Sequence, residues 1–407
     1  MKIQAENKAH TPSYPVIAAV AAAFATFLFS LVALGGDTPK RLSPVAPPWK
    51  AGQATMEQLH AFFPHGMFWN HVVGDPNEAY SVTDTACSPY TDDEDLHDKE
   101  GFVIAPFNIT EETPIIIIPS AEATITEHSI TNSSTNTTEY TTELENAEPI
   151  SESYSNDFAK FHQAICDGQF SKLVLAKEKT IYKQSSKLQE LFSKICKEFP
   201  RAMVMMFETC KSGIWLIASP EILLDGKGRS LHTVALAGTM PFQEGHLNWS
   251  EKNKQEQHVV EEYIENILAD ASPDVLKDGP VSMRAGNLVH LRTDFRFHLA
   301  QGLTLGKLVQ QLHPTPAVCG MPKFEATNFI SEHEGLDRRY YSGFAGPVDI
   351  QGETHLYVSL RCAELSSSEN GTDAVLYAGG GIMPGSECQS EWIETESKMK
   401  TIQNVLQ

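Results

Sequence analysis

The chain has 407 residues, 41% of them hydrophobic, enough for a sizeable core in one large domain or two smaller ones. Its 31 Lys and Arg stand against 52 Asp and Glu, a formal net charge of −21. That balance excludes the ordinary basic kind of nucleic-acid binder, but an anionic small molecule can still bind where a cation or a local basic cluster reverses the field. The seven cysteines (87, 166, 196, 210, 319, 362 and 388) are scattered, odd in number and without C-x-x-C spacing. This argues against a disulfide framework and a zinc site, and points to a reducing, cytoplasmic setting.

Near the start, Val16 to Gly36 carries no charged side chain and follows Lys2 and Lys8, which is how a membrane or signal segment begins. Its texture changes part-way, from Ala-rich at Val16–Phe24 to aromatic and β-branched from Thr26, closed by Gly35-Gly36-Asp37. A buried helix followed by a strand fits that change, so membrane association is not expected. Gly101-F-V-I-A-P-F and Pro114-I-I-I-I-P are strand candidates. Residues 1–119 read as the N-terminal part of the fold, 120–156 as a Ser/Thr/Asn/Glu-rich loop or linker, and 157–407 as the region that carries the candidate site residues.

From about residue 155 helices and strands alternate densely. The patterns predict helices over Phe158–Asp167, Lys187–Phe199, Leu303–Gln311 and Ala326–His333, and a long one from a Ser250 cap to about Ala271. Strands are predicted over Lys172–Tyr182, Ala202–Phe207, Ile214–Ala218, Tyr340–Ile350, His355–Leu365 and Ala374–Tyr377. Hairpin-like neighbours outnumber β-α-β units. The expected fold is α+β, with two packed, mainly antiparallel sheets flanked by helices.

Several side chains along this alternation invite chemistry. Lys172 opens K-L-V-L-A-K; it is an edge residue if exposed and a potential base if buried. Pro220 ends the apolar run Ile214-W-L-I-A and pins Glu221 at the strand's mouth, although Glu after Pro is also a common helix start. Gly238 and Thr239 close Ala235-L-A-G-T, where backbone N–H groups can grip a carboxylate or simply make a tight turn. Glu256 shares a helical stripe with Val260, Tyr263 and Ile267; a carboxylate there needs a partner, a metal or a wet end. His290 lies in a strand-like run, and Arg361 is an isolated cation amid Val358, Leu360 and Cys362 unless it faces an anion. Near the C-terminus, Gly379, Gly380 and Gly381 read as a turn where backbone approaches something closely. Ser386 with Gln389 makes a capping-box pattern, and Glu391, Glu394 and Lys398 fall on one face of the helix it opens. A solvated charged face is the plainer reading of that last trio.

Taken in order, K-L-V-L-A-K, S-P-E, L-A-G-T, a K-x-x-x-E helix start, L-H-P-T-P-A-V-C-G-M-P, R-x-Y-S-G, S-L-R-C and the terminal G-G-G…E-x-x-E-T…K stretch resemble the chorismate-utilising enzymes. The resemblance covers roughly residues 155–407, is strongest to the isochorismate synthases of menaquinone or siderophore pathways, and is loose in the N-terminal third. It implies Lys172 as the general base and Glu221 as the general acid. Glu256, Glu391 and Glu394 would surround Mg²⁺. Gly238, Thr239, His290, Ala317, Tyr341, Arg361, Gly379, Gly381 and Lys398 would line chorismate, and no glutamine amidotransferase subunit is expected. The ammonia-using relatives carry Gln where this chain has Lys172, and the aminodeoxychorismate enzymes carry a nucleophilic Lys where it has Ala237. Departures are Lys177, where the family usually has Arg, and Gln257, where His often follows the metal Glu. A salicylate synthase, or a non-catalytic chorismate-binding protein, is the alternative that the same resemblance leaves open.

Overall fold

The strand Met203–Thr209 shows how the layers arise. Met203, Met205 and Phe207 point to one face, Val204 and Met206 to the other, and all are buried. The computed structural model of the protein describes residues 69–70, 78–83, 88–90, 96, 99–119, 124–129 and most of 149–406. These belong to one compact unit, Trp49–Gln407. Val16–Gly36 lies outside the described residues; among those described, no helix is long and apolar enough to cross a membrane.

Among the described residues, one sheet has seven strands, in the order Trp69–Asn70, Met203–Thr209, Gly213–Ser219, Cys362–Ser368, Gly371–Ile382, Lys172–Gln184 and Gly320–Met321. The other has nine: Val275–Ala285, Leu288–His298, Ser230–Pro241, Ile222–Lys227, Glu353–Val358, Phe344–Val348, Gly101–Ala105, Ile115–Pro119 and Ser88–Tyr90. Neighbours pair antiparallel in both. Glu78–Thr83 and Thr124–Ser129 pair as a separate two-stranded sheet, and helices α1 (Glu152–Cys166), α2 (Leu188–Glu198), α3 (Glu251–Ala271), α4 (Leu305–Leu312), α5 (Lys323–His333) and α6 (Cys388–Leu406) complete the described elements.

The central strands are covered on both faces, whereas the edge strand Val275–Ala285 is largely exposed. Phe102, Ile104, Ile116 and Tyr357 of the nine-stranded sheet pack with Met203, Met205, Trp215, Ile217 and Tyr377 of the seven-stranded one, so the sheets meet face to face. Leu191 and Ile195 of α2 and Met399 and Ile402 of α6 cover the outer face of the seven-stranded sheet. Val260, Ile264 and Leu268 of α3, with Leu308 of α4, cover the outer face of the nine-stranded sheet. The expected α+β architecture of two packed antiparallel sheets with flanking helices is the one observed.

Several local expectations need correction. The apolar run His355–Leu365 is two strands, not one: Glu353–Val358 belongs to the nine-stranded sheet and Cys362–Ser368 to the seven-stranded one. Tyr340 and Tyr341 lie in a turn ahead of the strand Phe344–Val348. The first helix begins at Glu152, where Ser151 Oγ accepts the Tyr154 N–H, and a strand, Thr124–Ser129, lies within the polar stretch 120–156. The three glycines do not turn; they continue their strand opposite Ala176, Leu175 and Val174. Ser386 does not cap α6 but hydrogen-bonds Glu391 Oε1 instead.

The chain crosses between sheets at Ser219-Pro220-Glu221 and again at Ser359-Leu360-Arg361. The two crossings are tied together. The Ala218 N–H donates to the Arg361 carbonyl at 3.1 Å, and the Val358 N–H donates to the Glu221 carbonyl at 3.0 Å.

Candidate active site

Lys172, at the first position of its strand, is fully buried, and its Nζ stands 3.0 Å from Glu256 Oε1. This is an ion pair held by charge and not by hydrogen-bond geometry. Glu256 arrives on the buried side of α3, capped by Ser250, whose Oγ accepts the Asn253 N–H. Burial would raise the Glu256 carboxyl, but Lys172, Lys252 and Lys398 outweigh it and hold the group below the usual carboxylate range. The glycine strand makes room for the pair. A Cβ on Gly381 would fall 2.4 Å from Glu256 Oε1 and 2.9 Å from Lys172 Cε. On Gly380 it would meet Glu391 Oε2 at 2.9 Å, and on Gly379 the Tyr341 hydroxyl at 2.8 Å. Close approach, not a turn, is what these glycines serve.

Glu391 and Glu394 project from α6, and each carries a lysine. Lys252 Nζ donates to Glu391 Oε1, as does Ser386 Oγ at 2.7 Å, while Glu391 Oε2 is buried with no hydrogen-bond partner among the described residues. Burial, and then the neighbouring Glu394, push the Glu391 carboxyl upward. Lys398 Nζ lies 2.8 Å from Glu394 Oε1 and donates to the Gly379 carbonyl at 2.8 Å. Burial opposes the charge of both Lys252 and Lys398, yet the surrounding carboxylates raise their pKa values. Among the described residues, no three His, Cys, Asp or Glu side chains stand together as a metal cage. The three glutamates expected around a metal are instead neighbours in a mixed acid–lysine cluster.

Glu221 sits at the first sheet crossing, 2% exposed, with Thr315 Oγ1 donating to its Oε1 at 3.4 Å. Burial lifts its carboxyl to about 8, against the smaller opposing pull of Lys172, Thr315 and Lys398. At neutral pH it is therefore a protonated acid. Arg361, at the second crossing, has φ +47, a left-handed conformation that non-glycine residues seldom adopt. Its Nη2 donates to His290 Nε2 at 2.7 Å. Burial, then Arg361 and Lys398, hold the His290 pKa well below its ordinary value, so the ring is neutral. With Nε2 accepting, the ring proton rests on Nδ1, 3.2 Å from Thr239 Oγ1. Burial lowers the Arg361 guanidinium to about 10, which leaves it cationic at neutral pH.

Contacts and charge thus link Lys172, Glu221, Glu256, Thr239, His290, Tyr341, Arg361, the glycine strand, Glu391, Glu394 and Lys398. Gly238 (φ +67) stands at a β-bulge beside Thr239. Ala317 packs against the core of the nine-stranded sheet, two residues beyond Thr315. Sequence reasoning placed Lys252 and Thr315 within motifs but gave them no role, and it read Ser386 as a helix cap. Lys252 had a visible signal, since it lies one turn before Glu256 on the same helical face.

A model of the chorismate binding enzymes matches residues 97–407. The chain belongs to the chorismate binding enzyme family. Isochorismate synthase EntC of Escherichia coli (strain K12) is 33% identical over 203 residues, 47% of this chain and 51% of that protein. The matched stretch therefore spans about half the length of that curated relative. MenF, the menaquinone-specific isochorismate synthase of Escherichia coli, superposes with a TM-score of 0.66 at 22% identity, covering 83% of this chain and 88% of that one. Anthranilate synthase component I of Streptococcus pneumoniae TIGR4 gives 0.61 at 16% identity, covering 98% and 100%. These two likenesses extend the family's fold to this chain.

Proposed function

We propose that this chorismate binding enzyme is an isochorismate synthase, converting chorismate to isochorismate for a menaquinone or siderophore pathway. The observation that carries the reading is a pair of buried groups in opposite roles: Lys172 beside Glu256, and Glu221, which keeps its proton to about pH 8. An amine on one side of a ring and a neutral carboxylic acid on the other suit the exchange of one hydroxyl for another.

In this reading Lys172, once its ammonium has released a proton to solvent, takes a proton from water as the water oxygen bonds to C2 of chorismate. Both conjugated ring double bonds shift, C1=C2 to C1=C6 and C5=C6 to C4=C5, the C4–O bond breaks, and Glu221 gives its proton to the departing hydroxyl, which leaves as water. Atoms balance: one water enters and one leaves. Proton exchange with solvent returns Lys172 and Glu221 to their starting forms. Arg361, oriented by its bond to His290, and Lys398 hold the substrate's anionic groups.

The carboxylates fit a magnesium ion: they are hard oxygen donors, Glu391 Oε2 is buried with no hydrogen-bond partner among the described residues, and the glycine strand leaves space against Glu256 and Glu391. Glu256, Glu391 and Glu394 would hold it. When bound, Mg²⁺ supplies positive charge for the ring carboxylate.

The test is the product. Chorismate and Mg²⁺ should give a mixture of chorismate and isochorismate, with no requirement for glutamine or ammonium and little pyruvate. Stoichiometric pyruvate with fluorescent salicylate would replace the reading by a salicylate synthase, and an aminated product would remove water as the nucleophile. Lys172→Ala should lower the rate at least about a hundredfold, the usual share of a positioned base.

A further inference from the structure

Beneath the substrate-facing residues lies a buried polar clasp. The strand Ser230–Pro241 loses register against Leu288–His298 between Ala237 and Thr239, and Gly238 takes φ +67 in that bulge. The bulge aims Thr239 at His290, which in turn contacts Arg361. Two side chains of α3, one turn apart, grip it. Gln257, 1% exposed, accepts the Ala237 N–H on Oε1 at 2.8 Å and donates from Nε2 to the Ala235 carbonyl at 3.1 Å. Asn253 Nδ2 donates to the Thr239 carbonyl at 3.3 Å, and a Cβ on Gly238 would fall 2.9 Å from the Asn253 carbonyl. Glu261 Oε1 and Thr293 Oγ1 meet Gln257 Nε2 at 3.1 and 3.3 Å, which fixes the orientation of its amide.

A primary amide carries a donor and an acceptor side by side, as a peptide group does, and so can bind strand backbone beyond His232, where the strand Ile222–Lys227 no longer pairs with it. Glu256, which faces Lys172, is the residue just before Gln257. One turn of α3 therefore spans both halves of the site: Glu256 reaches the base, and Asn253 and Gln257 hold the bulge.

We infer that Gln257 is a positioning residue for substrate binding, with Asn253 as its helper, clamping the Gly238–Thr239 bulge so that Thr239, His290 and Arg361 meet the substrate in register. The inference rests on the isochorismate synthase reading for its substrate. Gln257→Met keeps the volume and removes both hydrogen bonds to the strand. It should raise KM for chorismate about tenfold with kcat changed less than threefold, and calorimetric Kd for chorismate should rise in parallel. Introduced into Thr239→Ala, it should raise KM less than twofold further, because the group it positions is gone. The partly exposed Asn253→Ala, which is not expected to disturb folding, should reproduce the KM effect in part. A lower active fraction or melting temperature with unchanged KM in both variants would overturn the inference, as would full additivity with Thr239→Ala. A wild-type protein that binds chorismate without forming isochorismate would instead sink the catalytic reading, leaving the Kd comparison to decide the clamp.

Discussion

Glu221 differs in protonation between its folded and unfolded states. The folded carboxyl keeps its proton to about pH 8, because burial outweighs the pull of Lys172, whereas an ordinary glutamate releases it near 4.5. The folded state therefore binds more protons between those values, and stability falls as pH rises across that window. An acid that works only while protonated also predicts a rate that declines as pH passes about 8. Glu221→Gln removes the titration and the acid together. It should lower turnover at least about a hundredfold, while its melting temperature gains on the wild type as pH rises from 5 to 8. A variant that keeps wild-type activity, or a wild-type profile flat to pH 9, would remove Glu221 from the acid role. The sequence showed Glu221 pinned after Pro220, but not its burial, which comes from the opposite crossing and from Thr315, 94 positions away.

At the scale of elements, the legible part was whatever repeats. Period-two apolar runs and the Ser250 cap marked most strands and the long helix close to where they lie. The crossing at Ser359–Arg361 was not legible, because strands of both sheets are buried on two faces and an apolar run carries no mark of which sheet it joins. The glycine strand was half legible: the need for close approach was visible, the straight backbone was not. Glycine positions also separate site from scaffold. At Gly381 an added Cβ meets only side-chain atoms, of Glu256 and Lys172. At Gly343 it would fall 1.9 Å from the Ala105 backbone oxygen. Gly381→Ala should therefore fold with near-normal denaturant midpoint and lose at least about a hundredfold in turnover, by displacing a positioned base. Gly343→Ala should lose about 2 kcal/mol or more of stability by forcing backbone apart. Equal destabilisation of the two would show that Gly381 serves the fold, not the chemistry.

The proposed substrate is an anion and the whole molecule carries a net charge of −21; Lys172, Lys252, Lys398 and Arg361 supply the local positive charge beside Glu256, Glu391, Glu394 and His290. Three of these cations are already paired with Glu256, Glu391 and Glu394, so the cluster is close to neutral without a metal ion. That pairing separates folding from activity. Removing divalent cations with EDTA should abolish isochorismate formation while the protein stays folded. Restoring Mg²⁺ should raise stability only by its binding linkage, about 2.7 kcal/mol at a hundredfold excess over Kd. Glu391→Gln should lose the calorimetric heat of Mg²⁺ binding, since it neutralises the carboxylate whose second oxygen lies buried with no hydrogen-bond partner among the described residues. If EDTA instead melts the protein, the lysines do not balance the carboxylates as the geometry requires. If Glu391→Gln binds Mg²⁺ as the wild type does, the ion sits elsewhere, and the acid–lysine cluster is then the substrate's electrostatic anchor in its own right.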